Sequence, residues 1–146
     1  MKHLALTILI AIIGFKSFAA ESTDYKQQDF NTQAMELLVK NMDKMQLEGD
    51  IKPGEKLKPI IDDLLDFLAA KIFSIMDNDP DDYKGHIKDL SADCKQTSDL
   101  NMSAQCVLII QYQPMGETGI SFYVGLDKDK KPGSILNNRV QISRGD

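Results

Sequence analysis

The chain has 146 residues, 42% of them hydrophobic, with 22 Asp and Glu against 17 Lys and Arg, two cysteines, two histidines and a net charge of −5. That length suits one domain with an ordinary core. The acidic balance, with no Lys/Arg cluster free of interleaved acids, sets aside nucleic-acid and anionic-membrane binding, since both need a cationic face.

Met1, Lys2 and His3 precede an apolar run from Leu4 to Phe15, the charged start and short greasy stretch of an export signal. A membrane-spanning helix needs about 20 apolar residues, and Lys16 and Ser17 interrupt this run too early. Small residues at Ser17 and Ala19 place cleavage after Ala19, so residues 1–19 are expected to leave as a signal peptide. No cysteine follows that site to take a lipid, and no transmembrane segment remains after cleavage. Cleavage removes Lys2 and Lys16 but no acid, which moves the net charge from −5 to −7. The expected location is periplasmic or extracellular.

Residues 20–28 are polar and aperiodic and read as a flexible tail; residues 29–146 read as a single α+β domain. A first helix is expected from a cap at Asp29 or Asn31 to a stop at Gly49, with Met35, Leu38, Met42 and Met45 as its apolar stripe. Gly49 to Gly54, containing Pro53, reads as a turn. A second helix follows from Lys56 or Pro59 to Met76, lined by Leu57, Ile61, Leu64, Leu65, Leu68, Ile72, Ile75 and Met76 and widened by Ile60, Phe67 and Phe73. So broad an apolar arc is expected to lie closest to the sheet.

After Gly85 the period changes from helical to alternating, and four strands are expected at about 87–95, 103–113, 118–127 and 135–143. A hairpin pivoting at Met115 sets Ile110 opposite Ile120 and Leu108 opposite Phe122. One pivoting at Lys130 sets Val124 opposite Leu136 and Ile120 opposite Val140. Every inward residue then has an even number, as an antiparallel meander with one buried face requires. The outward face carries Lys95, Gln105, Gln111, Ser121, Tyr123, Arg139 and Gln141, interrupted by Val107 and Ile109.

Cys94 and Cys106 fall on the inward face of neighbouring strands, and a hairpin centred on Leu100 sets them opposite each other. An oxidising compartment then favours a structural disulfide worth about 3 kcal/mol. The wide spacing does not suit a redox dithiol, and two cysteines alone do not make a metal site.

Asp77, Asp79 and Asp81 form the one weak calcium candidate. Counted as a calcium loop, the run puts Asp82 where the turn glycine belongs and Lys88 where the closing glutamate belongs. His86 is the histidine left after signal removal, and no nucleophile, metal-helix or phosphate-loop motif accompanies it. No cofactor is expected. Asn101-Met102-Ser103 is a glycosylation sequon usable only in a eukaryotic secretory pathway, and Arg144-Gly145-Asp146 has the form of an integrin-binding tripeptide on a frayed terminus.

The expected architecture is two N-terminal helices packed on the even-numbered face of a four-stranded antiparallel meander. In element order this resembles the helix-loop-helix-plus-sheet repeat of β-lactamase-inhibitor proteins and of a small lipoprotein of outer-membrane assembly machinery. The leading functional expectation is a non-enzymatic module that binds another exported or envelope protein through Val107, Ile109, Tyr123 and Arg139. The alternatives are a small-molecule carrier with a cavity between the second helix and the sheet, and an enzyme using His86 or paired carboxylates.

Overall fold

A computed structural model describes residues 25–77, 85–97 and 102–145, with the side chains of residues 25, 26 and 73–77 left out of the description. Helix α1 spans Tyr25–Asn41 and leads through a 3-10 turn at Met42–Lys44 to strand β1, Gln46–Gly49; helix α2 spans Leu57–Asp77. Strands β2 (Ile87–Gln96), β3 (Ser103–Tyr112), β4 (Glu117–Leu126), β5 (Pro132–Ile135) and β6 (Arg139–Gly145) follow, with a short 3-10 turn at Leu136–Asn138. Residues 1–19, expected as a signal peptide, residues 20–24 and the segment holding Asp79 and Asp81 lie outside the described residues.

The α+β class holds, but the sheet is a mixed one of six strands rather than four antiparallel ones. Its order is β1-β6-β4-β3-β2, and β5 pairs with the same side of β4 as β6 does. β1 runs parallel to β6, with Leu47 beside Val140. This strand occupies the end of the expected first helix, because Gln46 to Gly49 gains a ladder along β6 that local helical spacing does not reveal. Gly49 closes the strand at φ 93°, in the left-handed region that glycine enters without penalty.

α1 also starts earlier than its expected caps. Asn31 sits inside the helix, 1% exposed, among Ala34, Met35 and Leu38. At the other end, the Asn41 side-chain amide donates to the Leu37 carbonyl at 2.8 Å. The α-helix stops there, so Met42 and Met45 lie beyond it and reach the core only as partly buried residues. α2 follows its predicted stripe, with Leu57, Ile61, Leu64, Phe67 and Leu68 buried. Pro59 is tolerated because the first helical turn needs no amide donor. Of the two helices, α1 makes the closer backbone approach to the sheet, at β2 and β5, which corrects the placement of α2. Buried Asn31 on α1 engages the sheet backbone directly, whereas α2 presents a purely apolar arc.

The even-numbered face is the core face. Leu90, Ala92, Cys94, Ala104, Cys106, Leu108, Ile110, Ile120, Phe122, Val124, Val140 and Ile142 are all buried beneath the helices. Cys94 pairs with Cys106 as expected, and the two are joined by a disulfide with α-carbons 4.0 Å apart.

The next hairpin turns one residue earlier than expected, around Pro114. Leu108 therefore faces Ile120 and Ile110 faces Thr118. The slide moves each partner by two residues, a full side-chain period, so the inward set is unchanged. The last strand departs further. β5 puts odd-numbered Ile135 into the core opposite Val124, while Leu136 turns outward at 39% exposure. Asn137 (φ 59°) and Asn138 (φ 50°) then reset the chain so that even-numbered Val140 and Ile142 point inward again. Asparagine is among the residues that best tolerate this conformation.

Candidate protein-binding face

The odd-numbered face opposite the helices is ordered in rows across the strands. Lys95, Gln105 and Tyr123 form one row; Asp93, Val107, Ser121, Gln141 and Glu48 form the next. Ser91, Ile109, Gly119 and Ser143 form the third, and Asp89, Gln111, Glu117 and Gly145 the fourth. Val107 and Ile109 are half-buried at the centre, and Tyr123 is 46% exposed at one end. These three share one patch. Arg139 stands apart at the start of β6, beside Gln46, where its guanidinium lies 3.5 Å from Glu48.

Two small residues on β4 give the patch its shape. Gly119 and Ser121 leave a shallow trough between the β3 side chains and those of β6. The Ser143 hydroxyl leans over Gly119, where an added β-carbon would come within 2.5 Å of it. Gly119 was absent from the residues picked out by pattern; its signal is a small residue alternating with the bulky inward Thr118, Ile120 and Phe122.

The remaining candidates are not drawn together. His86 is exposed at the head of β2, where its carbonyl accepts the Gln113 amide at 2.7 Å. Asp77 ends α2, and among the described residues no three His, Cys, Asp or Glu side chains are grouped to hold a metal ion. Asn101 lies outside the described residues. Ser103 of the same sequon is buried, its hydroxyl 2.6 Å from that of Thr97.

Arg144 is not part of a frayed end. Its backbone amide donates to Asp50 at 3.0 Å, and its guanidinium donates to the Asp50 carbonyl and to Glu55. The guanidinium holds the Glu55 carboxyl below its ordinary pKa, and Glu55 in turn raises that of Arg144. Asp146 lies outside the described residues.

A pocket of about 100 Å³ opens between α1 and the sheet, lined by Gln27, Phe30, Cys94, Gln96, Ala104, Leu126 and Lys130. It involves α1, not α2. Among the described residues no helix is long and apolar enough to cross a membrane. Fold and face together define a small, single-disulfide α+β domain whose sheet is covered on one side and, among the described residues, open on the other. Comparison with protein families, with curated proteins and with solved structures finds no match. The resemblance in element order to β-lactamase-inhibitor repeats stops at β1, which separates the two helices and adds a parallel strand.

Proposed function

We propose that this protein is an exported, non-enzymatic module that binds another protein through the open face of its sheet. The observation that carries the reading is the patch of Val107, Ile109 and Tyr123: apolar side chains at the middle of a face opposite both helices, with an exposed aromatic at one end of it. An apolar centre ringed by polar groups such as Gln105, Gln111 and Gln141 has the composition of a protein interface. The disulfide is consistent with an oxidising compartment, and export through the leader at residues 1–19 would supply one.

A pull-down from the exported fraction tests it, with the oxidised protein as bait and a Tyr123→Ala/Arg139→Ala variant as control. A protein retained stoichiometrically by the wild type and lost with the variant is the expected result. Equal retention by both removes this face from the function. The pocket beside α1, about 100 Å³, is smaller than the about 300–1,000 Å³ of an ordinary ligand site.

A further inference from the structure

We infer that the occupant of the open face is a second copy of the same chain, packed sheet to sheet. This rests on the reading of the face as a protein-binding surface and names its partner. The argument is the distribution of charge along the strands. The first row carries Lys95 on β2, with Arg139 at the adjoining end of β6; the fourth carries Asp89 and Glu117. Lys95, Arg139 and Glu117 are all exposed. Arg139 is already paired with Glu48, so Lys95 carries the positive charge at one end of the face and Asp89 and Glu117 the negative charge at the other, with the apolar centre between them.

Two identical faces can oppose each other about a two-fold axis lying in the plane between them. An axis along the strands would stack the basic end on the basic end. An axis across the strands, between the second and third rows, reverses one copy and lays its acidic end over the basic end of the other. The same operation sets Val107 over Ile109 of the second copy and Ser121 over Gly119. It also brings Tyr123 over Glu117 and Gln105 over Gln111, and every such pairing occurs twice. Asp93 meets the uncharged Ser91. Paired sheets lie about 10 Å apart and within about 30° of alignment, close enough for Val107 and Ile109 to interdigitate above the small residues of β4.

Sedimentation equilibrium of the purified oxidised protein from about 1 to about 300 µM tests the inference in the affinity range of a modest interface. A monomer–dimer equilibrium is expected. Ile109→Glu, which puts a carboxylate against Val107 of the second copy, should weaken it at least about 100-fold. Lys95→Glu, at an exposed position, should weaken it about 10-fold at low salt by setting a carboxylate against Asp89 of the second copy, and adding Asp89→Lys should restore it by exchanging the signs of that pair. A monomer at every concentration overturns the inference, as does a dimer indifferent to both Ile109→Glu and Lys95→Glu. If the chain is monomeric and captures a different exported protein through this face, the dimer fails while the binding-module reading stands. If it is monomeric and captures nothing, both fail.

Discussion

Gln27 and Asn31, one helical turn apart on α1, hold both backbone groups of Cys94. The Gln27 amide donates to the Cys94 carbonyl at 2.8 Å, and the Cys94 amide donates to Oδ1 of Asn31 at 3.1 Å, while Gln27 also steadies that oxygen at 2.9 Å. β2 is an edge strand, and α-carbons 4.0 Å apart place Cys94 and Cys106 in a non-hydrogen-bonded pair, so these Cys94 groups point away from β3. Two side-chain amides thus stand in for a neighbouring strand at that point, blocking the edge and fixing the position of α1 over the sheet.

Replacing Asn31 by Ala leaves a buried backbone donor unpaired, which costs about 1–3 kcal/mol. The lower half of that range is expected, because Nδ2 of Asn31 is itself buried without a partner among the described residues. Gln27→Ala should cost about 1 kcal/mol or less, its site being only half-buried. Urea unfolding of the two variants would show the order, and a larger loss for Gln27→Ala would contradict the assignment of Asn31 as the principal clamp.

Cys94 and Cys106 are separated by 12 positions. Constraining the unfolded chain over such a loop contributes about 3 kcal/mol, which the Cys94→Ala/Cys106→Ala variant should lose. The midpoint of chemical unfolding would report it, read alongside the slope because the bond also restrains the unfolded state.

The two faces of β4 make opposite predictions for adjacent residues. Phe122→Ala opens a hole in the core and should cost about 3–5 kcal/mol, whereas Tyr123→Ala, on the open face, should change stability by no more than about 0.5 kcal/mol. Thermal unfolding of the pair checks the facing of β4 directly. The outcome for Tyr123 also decides whether its variant is a valid binding control.

Glu55 titrates below its ordinary value of 4.5 because Arg144 stabilises the carboxylate. A group whose pKa is depressed on folding stabilises the fold fully above its unfolded value and loses that contribution as pH falls through the folded one. The pair therefore contributes at neutral pH and disappears as pH drops below 4.5. Glu55→Gln should cost about 1 kcal/mol or less at pH 7, the guanidinium being part-exposed, and should flatten the acid limb of the stability profile. An unchanged acid limb would show that the contact does not hold β6 to the loop before α2.

Gly49→Ala would place a β-carbon 2.2 Å from the Ile142 carbonyl at a backbone φ of 93°. Both the clash and the left-handed conformation oppose alanine, and a loss of about 2 kcal/mol or more is expected. Hydrogen exchange should show it first in the β1–β6 ladder.

The inward face of the sheet was legible because alternation survives errors of register. Moving the β3–β4 turn from Met115 to Pro114 changed every partner and no facing, since the slide was a whole side-chain period. The Cys94–Cys106 pair was legible as well, because the hairpin centred on Leu100 sets the two opposite each other. Val107, Ile109 and Tyr123 were legible as outward-facing residues, and so was Arg139, which lies at the start of β6 beside Glu48. Alternation assigns a face, but it carries no information on how far apart two strands stand.

Sequence by itself determined what depends on local periodicity: the stripe of α2, the three long strands, their inward residues and the disulfide between neighbours. Tertiary structure decided what depends on contacts distant along the chain. β1 exists because Leu47 finds Val140, a parallel pairing across more than half the chain that no local pattern announces. Asn31, a plausible helix cap by type, became a buried clamp because a remote strand edge offered it an unpaired amide. Leu136, inward by parity, was turned out by two left-handed asparagines beside it. In each case the local preference is worth at most about 1 kcal/mol, and burial or a satisfied backbone group is worth as much or more.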